Sequence, residues 1–135
     1  MGHRLLDRLV SATDPESDSD PVEVFAFAAA AGLSVLALAQ DALSRCEGSS
    51  LIELLAALGE YAAEASSGEE ILVFLSSQLS AERLSARLGA TYAFEQIGTT
   101  LAARQLRAAA RKEPYQYIAS LQERIAQSML LAEPS

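Results

Sequence analysis

The side chains best suited to nucleophilic chemistry are scarce in this sequence and lie far apart along it. The only histidine, His3, stands near the start of the chain, and the only cysteine, Cys46, falls on the apolar side of a predicted helix. A nucleophile needs a base within hydrogen-bond reach, whereas a free cysteine on an apolar face usually behaves as a small buried hydrophobe. We therefore expect no Cys–His or Ser–His–Asp site, and we predict that the protein is not an enzyme and uses no cofactor.

Three carboxylates share one stripe of another predicted helix. Glu53, Glu60 and Glu64 are separated by seven and four residues, which brings them onto one face. Paired carboxylates can bind metals or perform acid–base catalysis, but di-metal helical bundles add a Glu-x-x-His pattern on facing helices. Because the sequence offers no histidine for that pattern, we interpret the stripe as a solvated acidic face and predict no metal site.

The sharpest charged feature is a group of basic residues spaced three and four apart, followed by two tyrosines. This spacing places the basic side chains on one face of a predicted helix. Two interpretations stay open: a solvated face that offsets the acidic half of the chain, or a binding surface for an acidic partner. The candidate partner-binding residues are Arg104, Arg107, Arg111, Lys112, Tyr115 and Tyr117.

The charge of the chain limits the classes of partner. Its 135 residues carry a formal net charge of −8, and residues 1–79 hold thirteen acidic and three basic residues. Because duplex phosphates are bound chiefly by Lys and Arg, this charge predicts a protein partner and disfavours nucleic acid. Nine arginines against one lysine favour a bacterial origin. A single cysteine, together with N-terminal residues that lack the apolar core of a signal peptide, predicts a cytoplasmic protein.

The N-terminal residues predict an arm and a linker ahead of one helical domain. Residues 1–11 place leucines at helical spacing and form a short amphipathic arm; whether residues 1–3 are native stays open. Residues 12–21 hold two prolines and four acidic residues, the composition of a mobile linker. Residues 22–131 then form the single helical domain, since a chain of this length builds one core.

One long helix is predicted from Pro21 to about Cys46, because Asp20 is placed to cap its start and apolar residues fill one half of its helical wheel. Phe27 falls outside that half, which predicts that this helix is the central one. The uncharged stretch, residues 24–39, is too short and too rich in alanine for a membrane span, which needs about twenty strongly apolar residues. Small side chains form a strip for close helix packing, either within the chain or across a dimer. The strip consists of Ala28, Gly32 and Ala39.

Further helices are predicted in the middle of the chain. A capping box at Ser50 and Glu53 opens the next helix. Residues 67–70 cap the apolar run 71–75, which we assign to a helix although a buried strand has the same pattern.

The C-terminal part predicts three more helices. A short one runs from Ser80 to Gly89, and Thr91 is placed to cap a longer one up to residue 112. Pro114 breaks that helix and precedes a last one with a regular apolar stripe. The stripe consists of Ile118, Leu121, Ile125 and Met129. The predicted fold is therefore all-α: a compact helical bundle or orthogonal array of about five main helices plus the N-terminal helical arm.

Residues 82–89 resemble the first helix and turn of a helix-turn-helix motif. In that motif a second helix would open at Tyr92, but its first turn has no basic or amide side chain where base-reading groups belong. A DNA-binding regulator that uses residues 80–112 is therefore the alternative function.

By elimination, these patterns favour a small helical protein–protein interaction module: an adaptor, assembly factor, inhibitor or regulatory subunit. We also expect a homodimer, because the chain has more large apolar side chains than its predicted buried faces require. In the alternative arrangement, the N-terminal arm folds back over this surplus and the protein stays a monomer. The surplus residues are Phe27, Leu33, Tyr115, Tyr117, Leu130 and Leu131.

Overall fold

The computed structural model describes residues 2–65 and 69–131. These residues form eight α-helices and no strand, so the predicted all-α class is confirmed, although the main helices outnumber the five expected. The helices are α1 (Gly2–Ala12), α2 (Pro21–Ala30), α3 (Val35–Leu43), α4 (Ser49–Glu64), α5 (Glu69–Gln78), α6 (Leu84–Ile97), α7 (Thr100–Lys112) and α8 (Gln116–Leu131).

α1 is the predicted N-terminal arm, and it packs against α2 and α3. Its amphipathic pattern turns Leu5, Leu6 and Leu9 into the core. Thr13, directly after the helix, is also buried, and its hydroxyl donates to the carbonyl of Val10 at 2.6 Å. The arm therefore covers apolar surface of its own chain.

The connection between α1 and α2 comprises residues 13–20. Asp20 caps α2 as predicted, since its carboxylate accepts a hydrogen bond from the amide of Val22 at 3.0 Å. Apart from Thr13 and the half-buried Ser17, the side chains of this segment are exposed. Its carboxylates therefore face solvent.

The single long helix predicted for residues 21–46 is wrong, because the chain breaks at Gly32. Gly32 has a φ of +78°, a left-handed conformation that glycine adopts without strain. The amides of Gly32 and Leu33 donate back to carbonyls near the end of α2, in the Schellman arrangement that ends helices. The Ser34 hydroxyl then accepts from the amide of Ala37 at 3.1 Å and caps α3.

The capping box predicted at Ser50 and Glu53 is also wrong. α4 starts at Ser49 after Gly48, and no side chain caps its first turn. The cap predicted at residues 67–68 lies outside the described residues. The apolar run 71–75 is helical, as predicted, and belongs to α5.

α6 runs without interruption through Gly89, so the helix end and turn predicted there are wrong. Gly89 is buried against α4 instead. Thr91, predicted as a cap, lies inside α6 with its hydroxyl donating to the carbonyl of Arg87 at 2.9 Å. The helix ends at Gly98, which has a φ of +69°, and the hydroxyl of Thr99 caps α7.

α4 and α6 occupy the centre of the fold, in place of the helix predicted there, because glycines let their backbones come close. A Cβ atom added at Gly59 would lie 2.5 Å from the Cα and the carbonyl oxygen of Ala93. A Cβ atom added at Gly89 would lie 3.0 Å from the Cβ of Leu55 and 3.1 Å from the Cα of Ile52. Gly89 faces Ile52 and Leu55, and further along both helices Ala93 faces Gly59. The two helices therefore run in the same general direction.

A row of polar side chains ties α6 to other elements. Arg87 and Thr91 are spaced four apart and so lie on one side of the helix, and Arg83 is the residue directly before it. The Arg83 guanidinium donates to two carbonyls at and after the end of α3, each at 3.2 Å. Thr91 accepts a hydrogen bond at 3.1 Å from the buried side-chain amide of Gln122 in α8.

Arg87, the middle member of this row, forms a buried ion pair with Glu113. The two side chains are 13% and 1% exposed, and 2.9 Å separates Nε from Oε1. Glu113 also accepts from the amide of Tyr115 at 3.0 Å, and Arg87 donates to two carbonyls of the loop before α6. The pair therefore fixes the turn at Pro114, where the predicted helix break is confirmed.

Replacing Gly59 with alanine tests the close crossing of α4 and α6. We expect Gly59→Ala to lower the free energy of unfolding by about 3 kcal/mol, because the new methyl group meets backbone atoms that cannot rotate away. Urea unfolding followed by circular dichroism measures this. Gly32→Ala is the control: its Cβ has open space, so only the left-handed backbone costs it, by about 1 kcal/mol. If Gly59→Ala is as stable as Gly32→Ala, the crossing is looser than described.

The buried ion pair gives a second prediction. Arg87→Met should lower the free energy of unfolding by about 3–5 kcal/mol, because Glu113 stays buried without its partner. Adding Glu113→Leu should recover most of that loss. Arg107→Met, which breaks an exposed pair with Glu123, should cost less than about 0.5 kcal/mol in the same urea titration. Equal losses for the two arginine variants would contradict a special role for the buried pair.

Candidate protein-binding surfaces

A shallow basic groove lies between the antiparallel helices α7 and α8. Arg111 from α7 and Arg124 from α8 line it, together with Glu123. Arg107 approaches Glu123, with 3.7 Å between Nε and Oε2, and both side chains are about half exposed. Exposed pairs of this kind contribute little to stability. The groove therefore presents two guanidinium groups that a partner can reach, and we call it the basic groove.

The other two predicted basic residues lie outside the basic groove. Arg104 is exposed earlier on α7. Lys112 is exposed on another side of the same helix, where it borders a small cavity beside Arg87 and Glu113. The predicted stripe is therefore divided between two sides of α7.

Two tyrosines stand at the start of α8. In the sequence they lie between Arg111 and Arg124, the two arginines of the basic groove. Tyr115 and Tyr117 are 50% and 60% exposed. Their ring centroids are 6.4 Å apart in an edge-to-face arrangement, a geometry that favours aromatic pairs. Exposed tyrosine and arginine side chains are typical of protein interfaces.

A second candidate surface is the outer face of α2. The inner face of this helix is buried, whereas Ala26, Phe27 and Ala30 are exposed, Phe27 by 50%. Leu33 follows in the turn and is 39% exposed. No charged residue occurs between residues 24 and 40. After Glu23 the helix is apolar on every side, and exposed apolar surface of this kind is typical of contact sites. We call the surface formed by Ala26, Phe27, Ala30 and Leu33 the α2 patch.

Two charged side chains of opposite sign border the α2 patch. The Arg8 guanidinium lies over the Phe27 ring, with its Cζ 5.4 Å from the ring centroid. Glu23 is exposed on α2, one turn before Phe27 and on the same face. The apolar centre of this surface therefore has a charged edge.

The residues predicted to form a strip of small side chains are divided between two helices and a turn. Ala28 lies in α2 and Ala39 in α3, and both are buried within the chain. Gly32 lies in the turn between these helices, and a Cβ atom added there would meet nothing within 4 Å. The two alanines thus pack inside the protein, while Gly32 serves the backbone turn.

The predicted acidic face of α4 borders a groove that it forms with the segment between α1 and α2. Glu53 and Glu60 line this groove together with Asp14 and Asp20 from the segment before α2. Glu64 is exposed near the end of α4. In residues 2–65 and 69–131, no group of three or more His, Cys, Asp or Glu side chains is arranged to hold a metal ion. Cys46 is buried, with its Sγ 3.7 Å from the hydroxyl of Thr13.

None of the helices in the described part of the chain is long and apolar enough to cross a membrane. Comparisons with protein-family models, curated proteins and solved structures found no match for this chain. What this chain binds must therefore be inferred from its own exposed surfaces.

Sequence reasoning did not identify two residues that shape these surfaces. Arg124 joins Arg111 because α7 and α8 pack side by side, and Arg8 reaches Phe27 because α1 packs on α2. A signal existed for Arg124, since it follows the short connection at Pro114, and short connections predict antiparallel neighbours. Nothing in the sequence alone indicates the contact of Arg8.

Proposed function

We propose that this chain is a small helical protein–protein interaction module, in the class of adaptors, assembly factors, inhibitors and regulatory subunits, and that it acts in the cytoplasm of a bacterium. The observation that supports this most is the basic groove with Tyr115 and Tyr117 beside it in the chain. Arginine and tyrosine are over-represented among the residues that dominate binding energy at protein interfaces.

An acidic protein segment fits the basic groove best. The guanidinium groups of Arg111 and Arg124 can each form two parallel hydrogen bonds with a carboxylate. The net charge of the chain is −8, so an acidic partner is repelled by most of the protein and attracted to the α7–α8 pair. Such a charge pattern sets the orientation of binding more than its strength.

The groove is also held in place before any partner binds. The buried Arg87–Glu113 pair and the turn at Pro114 fix where α8 leaves α7. A surface that is already ordered loses less conformational entropy on binding. This rigidity supports a binding role for the exposed side chains on the two helices.

We also propose that the protein is a homodimer. The arm α1 covers part of the apolar surface of α2 and α3, yet Phe27 and Leu33 remain substantially exposed. At the other end of the chain, Leu131 is exposed and Leu130 is half-buried. Single exposed apolar residues are common on monomeric proteins, whereas exposed apolar residues that lie together are typical of surfaces where two proteins associate.

The alternative proposal, a DNA-binding regulator that uses residues 80–112, would depend on the exposed basic side chains of α7. In a helix-turn-helix the first turn of the second helix reads the bases. The first turn of α7, residues 100–103, has the sequence Thr-Leu-Ala-Ala and offers neither basic nor amide side chains. A protein partner is therefore the better-supported proposal.

Binding of a fluorescein-labelled oligoglutamate peptide tests the acidic-partner proposal. Fluorescence anisotropy should show binding that weakens as salt is added. Arg111→Glu/Arg124→Glu should weaken it by about tenfold or more, because like charges then face each other across the contact. Arg4→Glu/Arg45→Glu is the matched control, with the same change in net charge on exposed residues in the N-terminal half.

Three outcomes are informative. A loss confined to the α7–α8 variant supports the basic groove as the binding site. Equal losses in the two double variants would show that only net charge matters and would contradict a defined site. Tighter binding of a short DNA duplex than of the peptide would favour the helix-turn-helix alternative.

A further inference from the structure

We infer that two copies of this chain pair through the α2 patch about a two-fold axis, with α2 of one copy antiparallel to α2 of the other. The inference rests on the proposed homodimer and names its interface. Two-fold pairs use the same surface on both partners, so the surface must be complementary to itself. The α2 patch meets that requirement in shape and in charge.

The outer face of α2 has a shape that can pair with a second copy of itself. Phe27 projects from this face, and the alanines before and after it, Ala26 and Ala30, are exposed and small. Small side chains let a second helix approach closely, so each alanine pair leaves room for the aromatic ring of the other copy. Leu33, at the end of the face, extends the apolar contact.

The distribution of charge along the chain also favours contact at the α2 patch. Each chain carries a net charge of −8, so two copies repel each other over most of their surfaces. The run from residue 24 to residue 40 has no charge, and two copies can meet there without placing carboxylates together. An anionic lipid surface repels the chain and offers no uncharged region of this kind, whereas a second copy presents the same uncharged run, which makes it the better occupant.

The edge of the patch adds complementarity. Arg8 lies against Phe27, and Glu23 lies one turn before Phe27 on the same helix face. An antiparallel two-fold arrangement with Phe27 near its axis brings the Glu23 of each copy towards the Arg8 of the other. Opposite charges at an interface edge fix register and suppress wrong pairings.

Light scattering coupled to size exclusion measures the dimer directly. The wild-type protein should have about twice the 14.3 kDa mass of one chain. Phe27→Glu should raise the dimer dissociation constant by about thirtyfold or more, since a central aromatic residue is lost and two carboxylates are brought together. Val73→Glu is the matched control, because Val73 is a 68% exposed apolar residue on α5, and the dimer should persist. Circular dichroism checks that both variants remain folded.

A charge exchange tests the register of the pair. Arg8→Glu and Glu23→Arg should each weaken the homodimer, because like charges then meet across the axis. A mixture of the two variants restores both contacts at once, so heterodimers should form in preference to either homodimer. Native mass spectrometry of one isotope-labelled variant mixed with the other measures this preference. If Arg8 and Glu23 interacted only within one chain, mixing the two variants would give no preference for heterodimers.

The outcomes separate this inference from the proposed homodimer. Loss of the dimer in Phe27→Glu but not in Val73→Glu, with preferred heterodimers, supports the α2 interface. A wild-type dimer that persists in Phe27→Glu, or a random mixture of charge variants, overturns the interface and leaves the homodimer standing. A wild-type mass near one chain overturns both. A monomer that binds anionic vesicles, and loses that binding in Phe27→Glu, would assign the patch to a membrane instead.

Discussion

Where α4 crosses α6, the two helices meet through glycine and alanine, with few large side chains between their backbones. Gly59 faces the backbone of Ala93, and Gly89 fits against Ile52 and Leu55. Dispersion attraction falls steeply with separation, so this contact is favourable only because neither glycine carries a Cβ atom. The remaining elements are arranged around this pair: α2 and α3 pack on α4, whereas α7 and α8 pack on α6.

α6 combines two kinds of contact. Its small residues give proximity to α4, and its polar row of Arg83, Arg87 and Thr91 reaches the end of α3, the turn before α8, and α8 itself. Apolar packing tolerates small shifts, but buried hydrogen bonds and ion pairs are satisfied in few arrangements. The polar row thus fixes the rotation of α6. It also fixes where the helices of the basic groove emerge.

The sequence allowed the helical class, the cap at Asp20 and the break at Pro114 to be predicted, but it did not assign the glycines correctly. Gly32 was expected inside a helix and ends one, whereas Gly89 was expected to end a helix and lies inside one. Periodicity cannot separate these roles, because a glycine within a helix costs only about 1 kcal/mol. The signal for Gly32 was Ser34, which caps the next helix. For Gly89 the deciding fact is the helix opposite, which the sequence does not show.

In the candidate surfaces too, local features could be predicted from the sequence, whereas contacts between separate helices could not. Helical spacing predicted most of the basic residues, since neighbours on one helix are a local property. The pairing of Arg111 with Arg124 and the position of Arg8 over Phe27 depend on how separate helices pack. The sequence correctly marks Phe27 as an apolar residue beyond the buried face of its helix. The prediction that this helix is central is wrong, because α2 lies at the periphery of the fold.

Because Cys46 is buried against Thr13, the reactivity of its thiol reports how often this part of the structure opens. Cys46 is a buried free thiol, and the residue 3.7 Å from its sulfur stands directly after α1. A thiol reagent needs access to sulfur, so its rate of reaction follows how often the covering segment separates from the core. Because Cys46 is the only cysteine of the chain, that rate has a single source. The unaltered protein therefore carries a built-in reporter for local opening around Cys46, where the residue that follows the N-terminal arm contacts the core.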